Sequence, residues 1–260
     1  MKTGLTTYSL DDPFFQIQLN SLLENDIRPD FIVLHNTRPL DRIRKYIRFF
    51  HKVFRQEKMN SLSFLLNKKH VIRNNQGINT EEKQNILSFL ASAYYIRAGE
   101  INDADTIHKL KDLGPSITIC NSGILKSSVL RLPEMIFVNV HSSQLPSYRG
   151  MNNVEWALWE NKELYGTVHR ISRAMDEGDI LYQEKLNMKF FDGEDIEDYR
   201  QEAYRQSHAL AGKALKMFLN NEISFTPQRN KGEPILQYYT MHPLLKKRLE
   251  EKLRRKISTA

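Results

Sequence analysis

Short apolar runs that stop in clusters of polar and turn residues set the tightest limit on what this chain can fold into. FIVLHN at 31–36, SITIC at 116–120 and MIFV at 135–138 are too short for ordinary helices, and SITIC is β-branched and directly follows a helical segment. Runs of this kind, separated by amphipathic segments, read as buried strands joined by crossover helices. The predicted class is α/β, an open and mostly parallel sheet flanked by helices with a short C-terminal extension. No GxGxxG follows the first strand, so dinucleotide binding has no support.

Local signals fill in the order. Residues 3–8 read as the first strand, and Asp12 before Pro13 is a helix start with Phe14, Ile17 and Leu22 on its apolar face. A helix over 42–55, a strand at 61–67 and a turn at Asn75 to Gly77 follow. Thr80 then opens a helix running toward Ala93. Asp103 caps, and Gly114 stops, the helix before SITIC. Past Gly150, Asn153 caps a helix with Val154, Ala157 and Leu158 inward, and YGTVHRIS and ILYQEKLNM alternate as strands. A long helix follows Asp192 to Glu194, with Gly212 permitting close packing and His208 on its face. The expected units are residues 1–220 and an extension, 221–260, ending in a basic amphipathic helix at 244–257.

The formal net charge of +7 is concentrated: residues 38–58 carry eight Lys/Arg against two acidic groups, and 246–256 carry seven against two. Such patches attract phosphates, nucleic acid or membrane surfaces, or are the solvated sides of ordinary helices. In the last helix Leu245, Leu249, Leu253 and Ile257 recur four apart. That stripe docks on its own domain, pairs with a second subunit as a homodimer, or meets an anionic partner. The single Cys120 excludes an internal disulfide and a multi-Cys metal site. No apolar run is long enough to span a bilayer and the N-terminus lacks a signal core, so a cytoplasmic protein is expected.

Chemistry is expected where MIFV ends. In FVNVHSSQLPSYRG, at 137–150, Asn139 and His141 lie two apart on a strand and project to one side. An amide donor can stabilise an oxyanion while an imidazole moves a proton near neutral pH. A carboxylate to orient the His is available downstream in MDEGDIL, from Asp176, Glu177 or Asp179.

With WALWENKELYGTVH, these segments resemble the formyltransferases that use 10-formyltetrahydrofolate, over about residues 100–186. The resemblance implies a Rossmann-like fold, a catalytic trio of Asn139, His141 and Asp176, 10-formyltetrahydrofolate as cosubstrate and no metal. It places the pterin against Ile124 and Leu125 and against a loop from Ile171 to Met175. Tyr148 and Arg149 are expected beside the acceptor, Arg149 alternatively as a structural donor. The WAL after YRG is similar to the sugar enzymes, which implies a small amine acceptor on a nucleotide sugar. A methionyl-tRNA formyltransferase-like enzyme with tRNA as partner, or a catalytically silent folate-binding relative, are the alternatives. One departure is that Gly166 directly precedes Thr167, where the family has Gly two places before the Thr of T-x-H.

Overall fold

The computed structural model describes residues 1–35, 78–121, 123–189, 195–228 and 236–257. The helix expected at 42–55, the strand at 61–67, the turn at Asn75 to Gly77 and the lead-in at Asp192 to Glu194 lie outside these residues.

Strand β1 (Lys2–Thr7) leads into α1 (Pro13–Glu24), and β2 (Phe31–His35) follows. Asp12 caps α1 as the sequence suggests, Oδ1 accepting from the Phe15 N–H at 2.9 Å. Phe15, Leu19 and Leu22 form the buried face, with Phe14 and Ile17 at its margins. Helix α2 (Thr80–Ser92) starts at Thr80 as expected, with Asn79 as its cap: Asn79 and Glu82 close a reciprocal capping box. Then come β3 (Tyr95–Ala98), α3 (Ala104–Lys111), β4 (Ser116–Cys120), the short α4 (Ser127–Leu130) and β5 (Met135–His141). Asp103 stands at the N-cap of α3, yet its carboxylate accepts from the Glu100 N–H instead of capping the helix.

The second half contains β6 (Arg149–Gly150), α5 (Asn153–Trp159), β7 (Tyr165–Arg170), β8 (Ile180–Lys185), α6 (Ile196–Leu219), β9 (Gln237–Tyr238) and α7 (Pro243–Ile257). Seven strands make one sheet in the order β3-β2-β1-β4-β5-β7-β8. All neighbours up to β5 are parallel, and β7 and β8 add on antiparallel. Strand order reverses beside β1 and β4, which opens a crevice at the carboxyl ends of those strands.

Alternation along β5 divides the core. Val138 and Val140 pack with Leu5, Leu19, Ile119 and Leu215 on the α1/α6 side, whereas Met135 and Phe137 pack with Leu110, Leu125 and Val129 on the other. Asn139 and His141 continue the Met135/Phe137 row to the end of the strand. Cys120 is buried among that second group, outside any disulfide, with Thr6 Oγ1 3.5 Å from its sulfur.

On the first side, α6 approaches closely at two glycines. A Cβ on Gly212 would stand 1.9 Å from the Ser21 carbonyl oxygen, and one on Gly166 of β7 would stand 3.0 Å from Ser207 Cα. The Gly166 that departs from the family pattern thus seats α6 on the sheet. His208 stacks on Phe14 with ring centroids 4.6 Å apart and meets Gln18 through Nδ1 at 2.5 Å. Burial pushes its pKa down to about 3, and the neutral ring suits an acceptor nitrogen.

The tail folds back onto the rest. Leu249 and Leu253 of α7 are buried in one cluster with Val154, Leu158, Tyr199 and Ala203, with Leu245 at its edge. Of the expected uses of the stripe, the one observed is docking on its own chain; Ile257 lies outside the side chains described. Glu155, itself 1% exposed, meets Lys246 at 3.0 Å and Arg200 at 3.4 Å, which ties α5, α6 and α7 together. Among the described residues no helix is long and apolar enough to cross a membrane.

Candidate active site

Strand β5 pairs with β7 in a register that sets Asn139 opposite His169 and His141 opposite Thr167. Asn139 and His141, two apart, therefore share a face with His169 beside them. The loop after β5 returns through a cis Leu145–Pro146 bond, held by Gln183 Nε2 on the Leu145 carbonyl at 3.0 Å and by Thr167 Oγ1 on the Ser143 carbonyl at 2.7 Å.

That return places the Tyr148 carbonyl oxygen 2.7 Å from His141 Nε2. A carbonyl accepts only, so Nε2 carries a proton, and in the neutral ring Nδ1 keeps the lone pair. Nδ1 faces Asp176 Oδ2 at 3.8 Å. The carboxylate is a charge partner for the ring, while the Tyr148 main chain fixes its orientation. Asn153, expected to cap α5, instead donates Nδ2 to the Gly150 carbonyl at 2.9 Å and lies 3.2 Å from His141 Nε2. Asn152 takes the cap position with φ +52°, its amide engaged with Glu155 at 2.7 Å.

Asp176 reaches the site from a loop in which it holds φ +57°, unusual for a residue other than glycine. Its Oδ2 accepts from the Gly150 N–H at 2.8 Å, and Oδ1 lies 3.8 Å from His169 Nε2. His169 donates Nδ1–H to the Arg170 carbonyl at 2.9 Å, so Nε2 is free to accept from the Asn139 amide at 3.4 Å. Burial, reinforced by His141 nearby, lowers the His169 pKa to about 4. The structure thus gathers Asn139, His141 and Asp176, and adds a neutral His169 that touches or faces all three: its ring centroid is 6.0 Å from that of His141.

Tyr148 and Arg149 give the site their main chain. Their side chains are buried against protein partners: the Tyr148 hydroxyl donates to Glu160 at 2.6 Å and its ring stacks on Tyr238, while Arg149 donates to Gln228 Oε1 through Nη2 at 2.7 Å and meets Glu177 at 3.2 Å. Ile124 is 81% exposed, with its carbonyl taken by Asn102, and Met175 is exposed beside Asp176. Leu125 and Ile171 pack into the core on the Phe137 side. Sequence reasoning gave no role in the site to Gln228, which is placed by contacts with distant segments, read Asn153 only as a helix cap, and saw His169 only as the histidine ahead of the loop from Ile171 to Met175.

The model of the formyl transferase family matches residues 47–215, well over half of the chain. The chain belongs to the formyl transferase family. Curated relatives include a methionyl-tRNA formyltransferase of Methylacidiphilum infernorum (isolate V4), 31% identical over 150 residues that cover 54% of this chain and 47% of that protein. The matched stretch is less than half the length of the curated relatives. Among solved structures, an N-formyltransferase from Helicobacter canadensis superposes with TM-score 0.52 at 15% identity, covering 91% of this chain and 71% of that one. The phosphoribosylglycinamide formyltransferase of Bacillus halodurans gives TM-score 0.52 at 12% identity, covering 85% and 97%. This family member thus shares the formyltransferase fold, a mostly parallel sheet flanked by helices.

Proposed function

We propose that this chain is an N-formyltransferase that moves the formyl group of 10-formyltetrahydrofolate to the amine of a small acceptor, a nucleotide-linked amino sugar being the leading class. The observation that carries the reading is the gathering of Asn139, His141 and Asp176 at the carboxyl end of β5, with one imidazole nitrogen fixed by main chain and the other facing a carboxylate. The amine nitrogen bonds to the formyl carbon, the carbonyl oxygen takes up the charge, and the bond from that carbon to the folate nitrogen then breaks. His141 Nδ1 accepts the proton the amine loses and returns it to the leaving folate nitrogen. Asp176 stabilises the imidazolium formed in between, and the second amide hydrogen of Asn139, beyond the one aimed at His169, donates to the oxyanion.

Ile124 and Met175 present exposed apolar groups suited to cover an aromatic ring system, with Leu125 and Ile171 as their backing. The sugar-nucleotide acceptor rests on the WAL after YRG. It is also in keeping with the Helicobacter canadensis protein of like fold, described in complex with folinic acid and dTDP-3-aminofucose. A methionyl-tRNA acceptor is the second reading, favoured by the name of the curated relatives.

The test is tetrahydrofolate release from 10-formyltetrahydrofolate with a panel of dTDP- and UDP-amino sugars and methionyl-tRNA. Turnover should require an amino sugar, and His141→Ala should lower it about 10²–10⁴-fold, or about 3–5 kcal/mol of barrier. Full turnover by His141→Ala would exclude the mechanism, formylation of tRNA alone would reverse the acceptor ranking, and folate binding without turnover would favour a silent relative.

A further inference from the structure

Asp176 sits in a backbone conformation that a residue with a side chain adopts only when its surroundings hold it there. Much of that hold comes from a single side chain in the C-terminal part of the chain. Gln228 Nε2 donates to the Asp176 carbonyl at 2.8 Å and to the Gly178 carbonyl at 2.7 Å. Its Oε1 accepts from Arg149 Nε at 3.2 Å and Nη2 at 2.7 Å. One amide thus joins the carboxylate loop to the loop whose Gly150 N–H holds Asp176 Oδ2. The backbone leading to Gln228 is anchored in turn, since Thr226 exchanges both main-chain hydrogen bonds with Ile180 at 2.8 Å.

We infer that Gln228 is a positioning residue for the reaction, setting the place of the Asp176 carboxylate opposite His141. Its side-chain hydrogen bonds run to Arg149 and to the Asp176 and Gly178 carbonyls, so its effect passes through the loop of residues 176–178. The inference rests on the catalytic role proposed for Asp176. If Gln228 only fastened the tail, its loss would lower stability and the amount of folded protein, and the remaining folded molecules would turn over normally. If it positions Asp176, folded molecules would bind substrates as before and react more slowly, because a displacement of about 1 Å in a reacting group costs up to about 100-fold in rate.

Gln228→Glu makes the distinction. It keeps an oxygen acceptor for Arg149 and replaces the donor that serves the two loop carbonyls with a second oxygen. Gln228→Leu removes both functions, and if it folds poorly Gln228→Glu carries the test alone. Tetrahydrofolate release is measured in single turnover and at steady state, with 10-formyltetrahydrofolate and the most active amine of the panel, for Gln228→Glu, Asp176→Ala and the double variant. The expected result is a kcat about 10- to 100-fold lower in Gln228→Glu with KM for both substrates within about threefold of wild type. In the Asp176→Ala background the same change should cost less than about twofold, since residues acting as one unit are not additive. Equal losses in both backgrounds, a rise in KM alone, or unchanged kcat would overturn the inference. Full turnover by Asp176→Ala would overturn the catalytic reading of the trio itself, and the positioning role with it, before Gln228 is considered.

Discussion

His169 is visible in the sequence as the histidine of T-x-H, yet its contacts with Asn139, Asp176 and His141 are not. Asn139 and His141 were legible as positions two apart on one strand, a local pattern, whereas the turn in MDEGDIL offered Asp176, Glu177 and Asp179 alike and only the resemblance singled out Asp176. His169 joins them through an antiparallel register across 30 positions, and Tyr148 contributes a carbonyl, which no side-chain pattern announces. The same limit hid the partners of the Tyr148 and Arg149 side chains, since Glu160, Tyr238, Gln228 and Glu177 come from other parts of the chain. The buried His169 ring has a consequence for acid stability. Its pKa falls from 6.5 to about 4 on folding, so between those values the unfolded chain binds a proton that the folded one refuses. Stability from this group is complete above about pH 6.5 and is lost as pH falls toward 4, by up to about 3 kcal/mol at about 1.4 kcal/mol per unit. Urea titrations at pH 7 and pH 4 should show a smaller acid-induced loss for His169→Gln than for wild type. An identical loss would mean that the ring accepts its proton in the folded state.

At the scale of elements, helix starts and close contacts behaved differently. Asp12 with Pro13 marks its helix correctly because cap and first turn are neighbours in sequence. Asn153 was the natural cap of α5 by the same logic, yet it lies one position inside the helix, its amide donating to the Gly150 carbonyl close to the His141 ring, with Asn152 before it. A polar residue beside a buried imidazole answers to the tertiary structure first. Gly212 was legible as a point of close packing, though its partner was not. Here two effects oppose each other in Gly212→Ala. Alanine favours a helix interior by about 1 kcal/mol over glycine. Against that, its Cβ would stand 1.9 Å from the Ser21 carbonyl oxygen, a main-chain atom of α1 that cannot swing away. It would also disturb the 3.0 Å bond from the Gly212 N–H to Ser21 Oγ. Overpacking of this kind costs typically about 1–3 kcal/mol, and the clash with backbone puts the net effect on the destabilising side. A lower urea midpoint is expected for Gly212→Ala, and an unchanged or higher one would show that α1 and α6 can part without loss.

For the whole molecule, the alternation of short apolar runs and amphipathic segments was enough to foresee an open, mostly parallel sheet, since each run must be covered on both faces. The antiparallel addition of β7 and β8 was not foreseen, because strand direction depends on which edge the chain returns to. Nor could spacing decide what the leucines of the last helix cover. In the structure Leu249 is fully buried among side chains of α5 and α6, Lys246 pairs with the buried Glu155, and β9 lies against the Gly150 strand, whose N–H holds Asp176. We propose that the described part of the tail, residues 221–228 and 236–257, read from sequence as belonging to an extension, unfolds together with the rest. Truncating a core leucine costs about 2–5 kcal/mol. If the tail belongs to the cooperative unit, Leu249→Ala lowers the single unfolding midpoint followed by both far-ultraviolet circular dichroism and tryptophan fluorescence, since Trp156 and Trp159 flank the same cluster. A tail that melts first would instead move the fluorescence transition ahead of the dichroism and leave the main midpoint where it was. The shared contacts of Glu155 with Arg200 and Lys246 favour the first outcome, because releasing α7 alone would take one cation from a carboxylate with almost no access to water.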